Sequence, residues 1–525
     1  MKKIFGLLFV SLSLLVSCDN DLLEPFTPGS LTEEVAITKS SDLVNLLNSS
    51  LNIMTNRTEY VFSSVYTDEA APGFNNGGQG ITGDYIFLMN FSNASAGAIW
   101  NSNYAALARI NRVIQFSGTV VPVDAADAEL IERTKAEALV LRAICHLKIM
   151  SYFSTDPKNN GALAGVLADR VILSTEQPQR TTNGVFYGAI HGDLDAAITL
   201  FDSNTAPAYA NKTYYPSKVL AQAIKARAYA LKGDYTNAEL WADTVITTSG
   251  ISLASNATQY NAIFHTHNEP ANTEVIFRLR RTVQQNGQGT NLQNGWCSVA
   301  NRRNGSPFYE VSRALFNHFG GYNQANPDPL QNPDYRLRTN VFLTGTATTN
   351  SLVDANYTTS TNVRNTDIIV LQKHGGQAAT TATGGYNPDF MVCRLSEMYL
   401  IKAEARAQAS DYIGVASTLQ TIVNARYTTP IVVATPGSAQ AAWKAVLDER
   451  RKELSFEGFR FIDLKRLGAL AGTGLDRDAS EYASSAWNFP AGNPANLPVT
   501  SYKFTLPVPE DELNGNPGIQ QNPGY

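Results

Sequence analysis

The chain has little cysteine, no basic run and no linker rich in charge or in Pro and Ser, and each shortage removes a class of protein. Cysteine occurs only at Cys18, Cys145, Cys297 and Cys393 among 525 residues. With Cys18 assigned to a signal junction, the odd three that remain do not make a disulfide framework. The formal net charge is −5, and without a basic run there is no electrostatic footprint for nucleic acid. The absence of a linker favours one large, loop-rich domain over several.

Catalytic signatures are also scarce. There is no Gly-x-Ser-x-Gly elbow, no His-Glu-x-x-His, no Cys-x-x-Cys and no phosphate loop ending in Gly-Lys-Ser/Thr. The glycine-rich Asn75-Asn-Gly-Gly-Gln-Gly80 lacks the lysine and reads as a loop. His265-Thr-His267 could offer two imidazoles on one side of a strand, half a metal site with no third ligand in view. The acidic stretch from Asn326-Pro-Asp328 to Asp334 does not have EF-hand spacing, so a structural calcium stays open and no other cofactor or metal is expected. Nothing in the sequence selects a pair of carboxylates for glycosidase chemistry.

What is present starts at the N-terminus. Lys2 and Lys3 precede a thirteen-residue apolar and small-residue run, Ile4 to Val16, that ends at Ser17-Cys18. Such a run is a secretory signal, too short to remain as a spanning helix. Residues 1–17 are therefore expected to be removed, taking the formal charge from −5 to −7 with Lys2 and Lys3. Residues 18–40 then form an extended tether, and 41–525 the folded domain.

Helical periodicity dominates that domain. Trp100, Tyr104, Leu107, Ile110 and Ile114 step by threes and fours, as do Ala136, Leu139, Ala143, Leu147 and Met150 before Pro157. Helical repeats are expected near 99–153, 183–248 and 395–426. In the second, Leu220 to Leu231 meets Ala238, Trp241 and Val245 across a Lys232-Gly-Asp-Tyr235 turn. In the third, Leu395 to Ala407 meets Ala416 to Val423 across Asp411-Tyr412. Small residues at the crossing and an aromatic at the turn are the logic of a tetratricopeptide unit. Between these two units lies a loop-rich insertion, 282–390, dense in Asn, Gly, Thr and Tyr. The fold class expected is mainly α, a tetratricopeptide-like helical-repeat scaffold with large irregular insertions.

Longer motifs carry a family resemblance. Arg142-Ala-Ile-Cys-His-Leu147, Asp334-Tyr-Arg336, Arg394-Leu-Ser-Glu-Met-Tyr-Leu-Ile-Lys-Ala-Glu-Ala405 and Asp448-Glu-Arg-Arg-Lys-Glu-Leu-Ser-Phe-Glu-Gly-Phe-Arg-Phe-Ile-Asp-Leu-Lys-Arg466 occur in this order. They are followed by Tyr502-Lys-Phe-Thr-Leu-Pro-Val-Pro509 and a final Gln-Asn-Pro-Gly-Tyr525. Together they resemble the SusD/RagB family, with 443–525 as its C-terminal signature; Phe461 stands where Trp is common. The charges of Arg450, Glu453, Glu457, Arg460 and Asp463 fall three and four apart and are read as mutual ion pairs rather than a catalytic cluster, so Arg460→Ala should cost stability more than ligand affinity.

The resemblance implies a SusD-like fold and a surface lipoprotein of the outer membrane, acylated at Cys18, in a Leu15-Val-Ser-Cys18 lipobox. Its implied partner is a SusC-like, TonB-dependent transporter, and its implied cargo an oligosaccharide; a RagB-like member would carry peptide instead. A lipid-anchored surface hydrolase is the reading from another class. Sugar rings lie on aromatic faces while amides and charges pair with hydroxyls. The ligand residues expected are accordingly Phe74, Asn75 and Asn76, after the Asp68-Glu69 step that precedes the family's ligand loop, then Trp296, Arg302, Tyr309 and Tyr322 of the insertion, and Trp487. Any of these aromatics could instead plug its own loop onto the scaffold.

Overall fold

The computed structural model describes residues 33–73, 82–204, 212–266, 274–281, 292–296, 308–320, 332–340, 369, 371–374, 388–481 and 492–525. Helices α1 (Ser40–Met54) and α2 (Thr58–Tyr66) lead into strand β1 (Ala70–Pro72), and α3 (Ala94–Phe116) and α4 (Ala125–Phe153) contain the first two helical patterns. Both long helices start on a side-chain cap that satisfies an orphan N–H: Asn93 accepts from the Ala96 amide and Asp124 from that of Asp127. Helix α3 buries one stripe, with Ile99, Trp100, Leu107 and Ile110 inward. The second half of α4 is buried nearly all round, because α1, α3 and α5 (Asn183–Ser203) pack on different sides of it. A small antiparallel ladder of β2 (Leu163–Val166) and β3 (Arg180–Thr182) joins α4 to α5.

The repeat corners form as the sequence predicts. Helix α6 (Lys218–Lys232) ends on Gly233 at φ +81, and Asp234 then caps α7 (Tyr235–Thr248) by accepting from the Asn237 amide. After α8 (Ala257–His265), β4 (Val275–Leu279), β5 (Tyr309–Val311), α9 (Arg313–His318), α10 (Tyr335–Asn340) and β6 (Phe390–Arg394), the corner recurs between α11 (Leu395–Gln408) and α12 (Tyr412–Asn424). There Asp411 accepts from Gly414 at 2.8 Å, but the left-handed position belongs to Ser410 at φ +58. A side chain is disfavoured at that φ, so Ser410→Gly should raise stability by about 0.5–1 kcal/mol, read as a higher denaturation midpoint.

Helix α11 packs directly on α7, where Arg406 meets Glu239 at 2.6 Å and Lys402 meets Asp243 at 2.7 Å. The two units, far apart in sequence, are thus neighbours in one stack. The insertion leaves and returns on a stem between them, since β4 pairs antiparallel with β6 and sets Leu279 opposite Phe390. Helices α13 (Ala439–Glu453) and α14 (Arg460–Ala471) close the stack against α11, α12 and α2, before the short α15 (Glu510–Gly515). One hydrophobic cluster runs from Leu47 to Ile519. Cys145 and Cys393 are buried in it, neither in a disulfide.

The terminal motif is a strap across the end of α4. The Leu506 amide donates to the Tyr152 carbonyl at 2.9 Å, and the Asn522 amide group reaches Phe153 O at 2.8 Å and Leu506 O at 2.7 Å. The Tyr525 hydroxyl returns to Thr505 O at 2.8 Å, and Trp100 Nε1 donates to Glu512 at 3.1 Å. The last carbonyls of a buried helix are thereby satisfied.

Candidate functional site

Strands β1 and β5 form a short antiparallel pair, Ala70 opposite Val311 and Pro72 opposite Tyr309, and loop ends gather on it. The Gly73 amide, just before 74–81, donates to Phe308 O at 2.8 Å, and the Thr82 hydroxyl, just after it, meets the Tyr309 hydroxyl at 2.5 Å. Segment 297–307 is pinched at its base where the Phe308 amide donates to Trp296 O at 2.7 Å. Asn332 donates back to Phe319 O and Gly320 O at 3.0 and 2.7 Å across the base of 321–331. The Val311 amide meets Ile369 O at 3.0 Å at the end of 341–368, and the Arg313 amide meets the Glu481 carboxylate at 2.6 Å at the start of 482–491. The residues flanking four of these segments, 74–81, 297–307, 341–368 and 482–491, thus meet on one frame.

Buried charge holds this frame to the helices. Asp68 accepts two bonds from Arg460, at 2.7 and 2.8 Å, and faces Arg451 at 3.3 Å. Burial alone would raise its pKa, but the Arg451 and Arg460 charges outweigh that and hold it well below the usual carboxylate range. The Glu69 carboxylate, equally buried, accepts from the Phe456 amide at 3.2 Å and from no other donor among the described residues; burial pushes its pKa up to about 8. Glu69 is therefore neutral in the fold at pH 7 while its unfolded counterpart is ionised. Its contribution to stability is complete below about pH 4.5 and is lost as pH rises through 8, with a slope of up to ~1.4 kcal/mol per pH unit. Asp68 has the opposite sign: its contribution is present above about pH 4 and is lost in acid. Glu69→Gln should flatten the alkaline loss in denaturant titrations between pH 5 and 9 while leaving the acid limb in place.

Behind the frame, the charges of the signature are buried and paired, but not at the three- and four-residue spacing expected: among the five, only Arg450 and Asp463 meet each other, at 2.7 Å, while Glu453, Glu457 and Arg460 take partners from distant segments. Glu453 receives Arg426 and Arg394 at 2.8 Å each and Arg336 at 3.1 Å, all with side chains at most 1% exposed. Glu274 bridges Arg394 and Arg426 at 2.6 and 2.8 Å, and Glu457 joins Arg394 to Lys373 at 2.7 and 2.8 Å. Burial would raise Glu453, but Arg426, Arg394 and Arg336 hold its pKa well below the ordinary value. Arg450 and Arg466 share Asp463 and Glu404 alongside. Asp334, offered by the sequence to a calcium loop, instead grips Arg336 at 2.8 Å.

The expected ligand residues divide sharply. Trp296 is fully buried, with Nε1 donating to Ser64 Oγ at 3.0 Å and its ring stacked on His374 at 5.2 Å. Tyr309 is 5% exposed within β5, tied to Thr82. These two are corrections to the sequence reading: neither presents a ring face, and both plug loop bases into the core. Phe74, Asn75, Asn76, Arg302, Tyr322 and Trp487 lie outside the described residues, as do Cys18 and His267. His265 engages Gln372 O at 3.0 Å, and among the described residues no group of His, Cys, Asp or Glu could hold a metal ion.

Sequence reasoning missed Arg477. Its guanidinium donates to the carbonyls of Val65, Tyr66, Thr67 and Tyr85 at 2.6 to 3.0 Å and lies over the Tyr85 and Phe87 rings, capping the end of α2. No local signal marks an isolated arginine for that role. Among the described residues no helix is long and apolar enough to cross a membrane.

A model of the SusD family matches residues 273–525. SusD-like protein P2 of Formosa agariphila is 23% identical, with the whole of both chains covered. A SusD superfamily protein of Bacteroides thetaiotaomicron has the same fold at a TM-score of 0.71 and 21% identity, over 93% of this chain and 100% of that one. A SusD-like carbohydrate binding protein of Bacteroides vulgatus matches at 0.68 and 16%, over 92% and 98%. The segment that matches the SusD family model, residues 273–525, holds the α13–α14 signature and its ion network, and the chain as a whole has the fold of the SusD superfamily structures.

Proposed function

We propose that this protein is a lipid-anchored capture protein of the outer membrane that binds an oligosaccharide and hands it, chemically unchanged, to a SusC-like TonB-dependent transporter. The observation that supports this reading is the convergence on the β1–β5 frame of the residues flanking 74–81, 297–307 and 482–491, the segments that contain Phe74, Arg302 and Trp487. Loops on a rigid scaffold can set aromatic faces and amides around a sugar without a catalytic group. The carboxylates nearest the frame suit support rather than bond cleavage: Asp68 is paired with arginines, and Glu69 is sealed from solvent. A SusD-like relative of the same fold is described as carbohydrate binding.

Native mass spectrometry of the protein purified from its own membrane tests the cargo. A saccharide mass supports the proposal, a peptide mass supports the RagB-like reading, and ligand shortened on incubation supports a hydrolase. Anchoring is tested by Cys18→Ala, which should move the protein entirely from the membrane to the soluble fraction, since acyl chains contribute ~0.8 kcal/mol per buried methylene. Retention of that variant in the membrane would contradict lipid attachment at this residue.

A further inference from the structure

A groove of about 290 Å³ lies at the far end of α2 from β1, lined by Asn48, Leu51, Asn52 and Thr55 of α1 and its end, by Tyr214 and Tyr215, and by Leu279 and Arg280. From the rise per residue, α2 separates it from the β1–β5 frame by about 13 Å. Its size is near the lower edge of the ~300–1,000 Å³ typical of small-molecule clefts, room for one or two sugar rings.

The walls are built and held. Spacing of three and four places Asn48, Leu51, Asn52 and Thr55 in one line along α1. Arg281, 5% exposed, fixes that line to the end of β4 by donating to Thr55 Oγ1 at 2.8 Å and to Asn52 Oδ1 at 3.4 Å. Across the groove, the Arg278 amide donates to Thr213 O at 2.9 Å and so anchors the chain beside Tyr214 and Tyr215, whose rings sit 4.8 Å apart at 43°. The exposed side chain of Asn48 has no hydrogen-bond partner among the described residues, and the Asn52 amide nitrogen has none there either.

Charge gives the groove its preference. Among the described residues no carboxylate lines it, although the chain as a whole carries −5. Arg280 is exposed and lays its guanidinium over the Tyr214 ring, 4.8 Å from the centroid, with no ion pair to an acid among the described residues. Stacking uses the face of the guanidinium and leaves the N–H edges, which are suited to two-point recognition of an oxyanion.

We propose that this groove is a second saccharide subsite that takes a sugar bearing an anionic group: Arg280 binds the carboxylate or sulfate, Tyr215 faces the ring, and Asn48 and Asn52 pair with hydroxyls. It rests on the reading that the protein captures saccharides, and adds that part of the cargo is acidic.

The test is calorimetric titration of the full mature chain with tetragalacturonate, with a sulfated galactose tetrasaccharide, and with carboxyl-reduced tetragalacturonate as the neutral control. At least one acidic probe should bind more tightly than the neutral one. Arg280→Gln should weaken that probe by ~3–10-fold, with little effect on the neutral one, and the difference should shrink in high salt. The two acidic arms distinguish carboxylate from sulfate. Arg280 is exposed, so the variant should keep the wild-type melting temperature, and Asn48→Ala should reproduce a smaller loss. Acidic probes that bind no better than the neutral one, or an Arg280→Gln variant that binds them as wild type does, would overturn the subsite. If neutral saccharide binding persists and is lost only in Phe74→Ala, the subsite falls while saccharide capture stands. If the wild-type chain binds no saccharide at all, both fall.

Discussion

Glu453→Ala is expected to cost about 3–5 kcal/mol and to leave little folded protein at physiological temperature. The carboxylate is the shared anion of Arg336, Arg394 and Arg426, whose side chains are at most 1% exposed. Removing it strands three guanidinium groups away from water, with only Glu274, Glu457, Glu449 and Asp334 to divide among them. Glu453→Gln keeps the volume but places an NH2 group among donors, so it should recover little. An exposed pair supplies the control: Arg170 and Glu176 meet at 2.5 Å with side chains 60% and 29% exposed, and Glu176→Ala should change stability by less than about 1 kcal/mol. Equal losses in the two variants, measured by denaturant unfolding, would show that the buried network does not hold α13 to the insertion stem.

Trp296→Ala is expected to cost about 3–5 kcal/mol in the same assay, with Trp296→Phe losing much less. The indole is enclosed between His374, stacked at 10°, and the edge of Phe456, and it donates to Ser64. Phenylalanine retains most of the packing and forfeits one hydrogen bond, worth about 1 kcal/mol. The carbonyl of Trp296 also anchors Phe308 and Tyr309, so the alanine variant should loosen the base of 297–307 and weaken ligand binding as a consequence of instability. A variant of unchanged stability that has lost ligand affinity would return Trp296 to the role of a binding face.

The helices were legible because their signals are local. Asn93, Asp124 and Ser217 cap where apolar periodicity begins, and Gly233-Asp234 turns where it stops. That the charges of α13 and α14 serve structure was legible, but their partners were not: Glu453, Glu457 and Arg460 meet Arg336, Lys373 and Asp68, from distant segments that no spacing rule connects. The stacking of α7 on α11 was illegible for the same reason. At the site, Trp296 and Tyr309 were misread because composition separates a loop from a helix but does not say which way a loop aromatic turns. The groove between α1 and Tyr214 passed unnoticed because its two sides are far apart in the chain and neither carries a motif.

The central claim is that a stack of paired helices presents a saccharide-binding surface that does no chemistry. Affinity electrophoresis and calorimetry over a polysaccharide panel, followed by sizing of the recovered ligand, test it most directly. The account predicts that at least one polysaccharide binds, that Phe74→Ala weakens it, and that the recovered chains have their original length. Silence across the panel, or shortened chains, would contradict it.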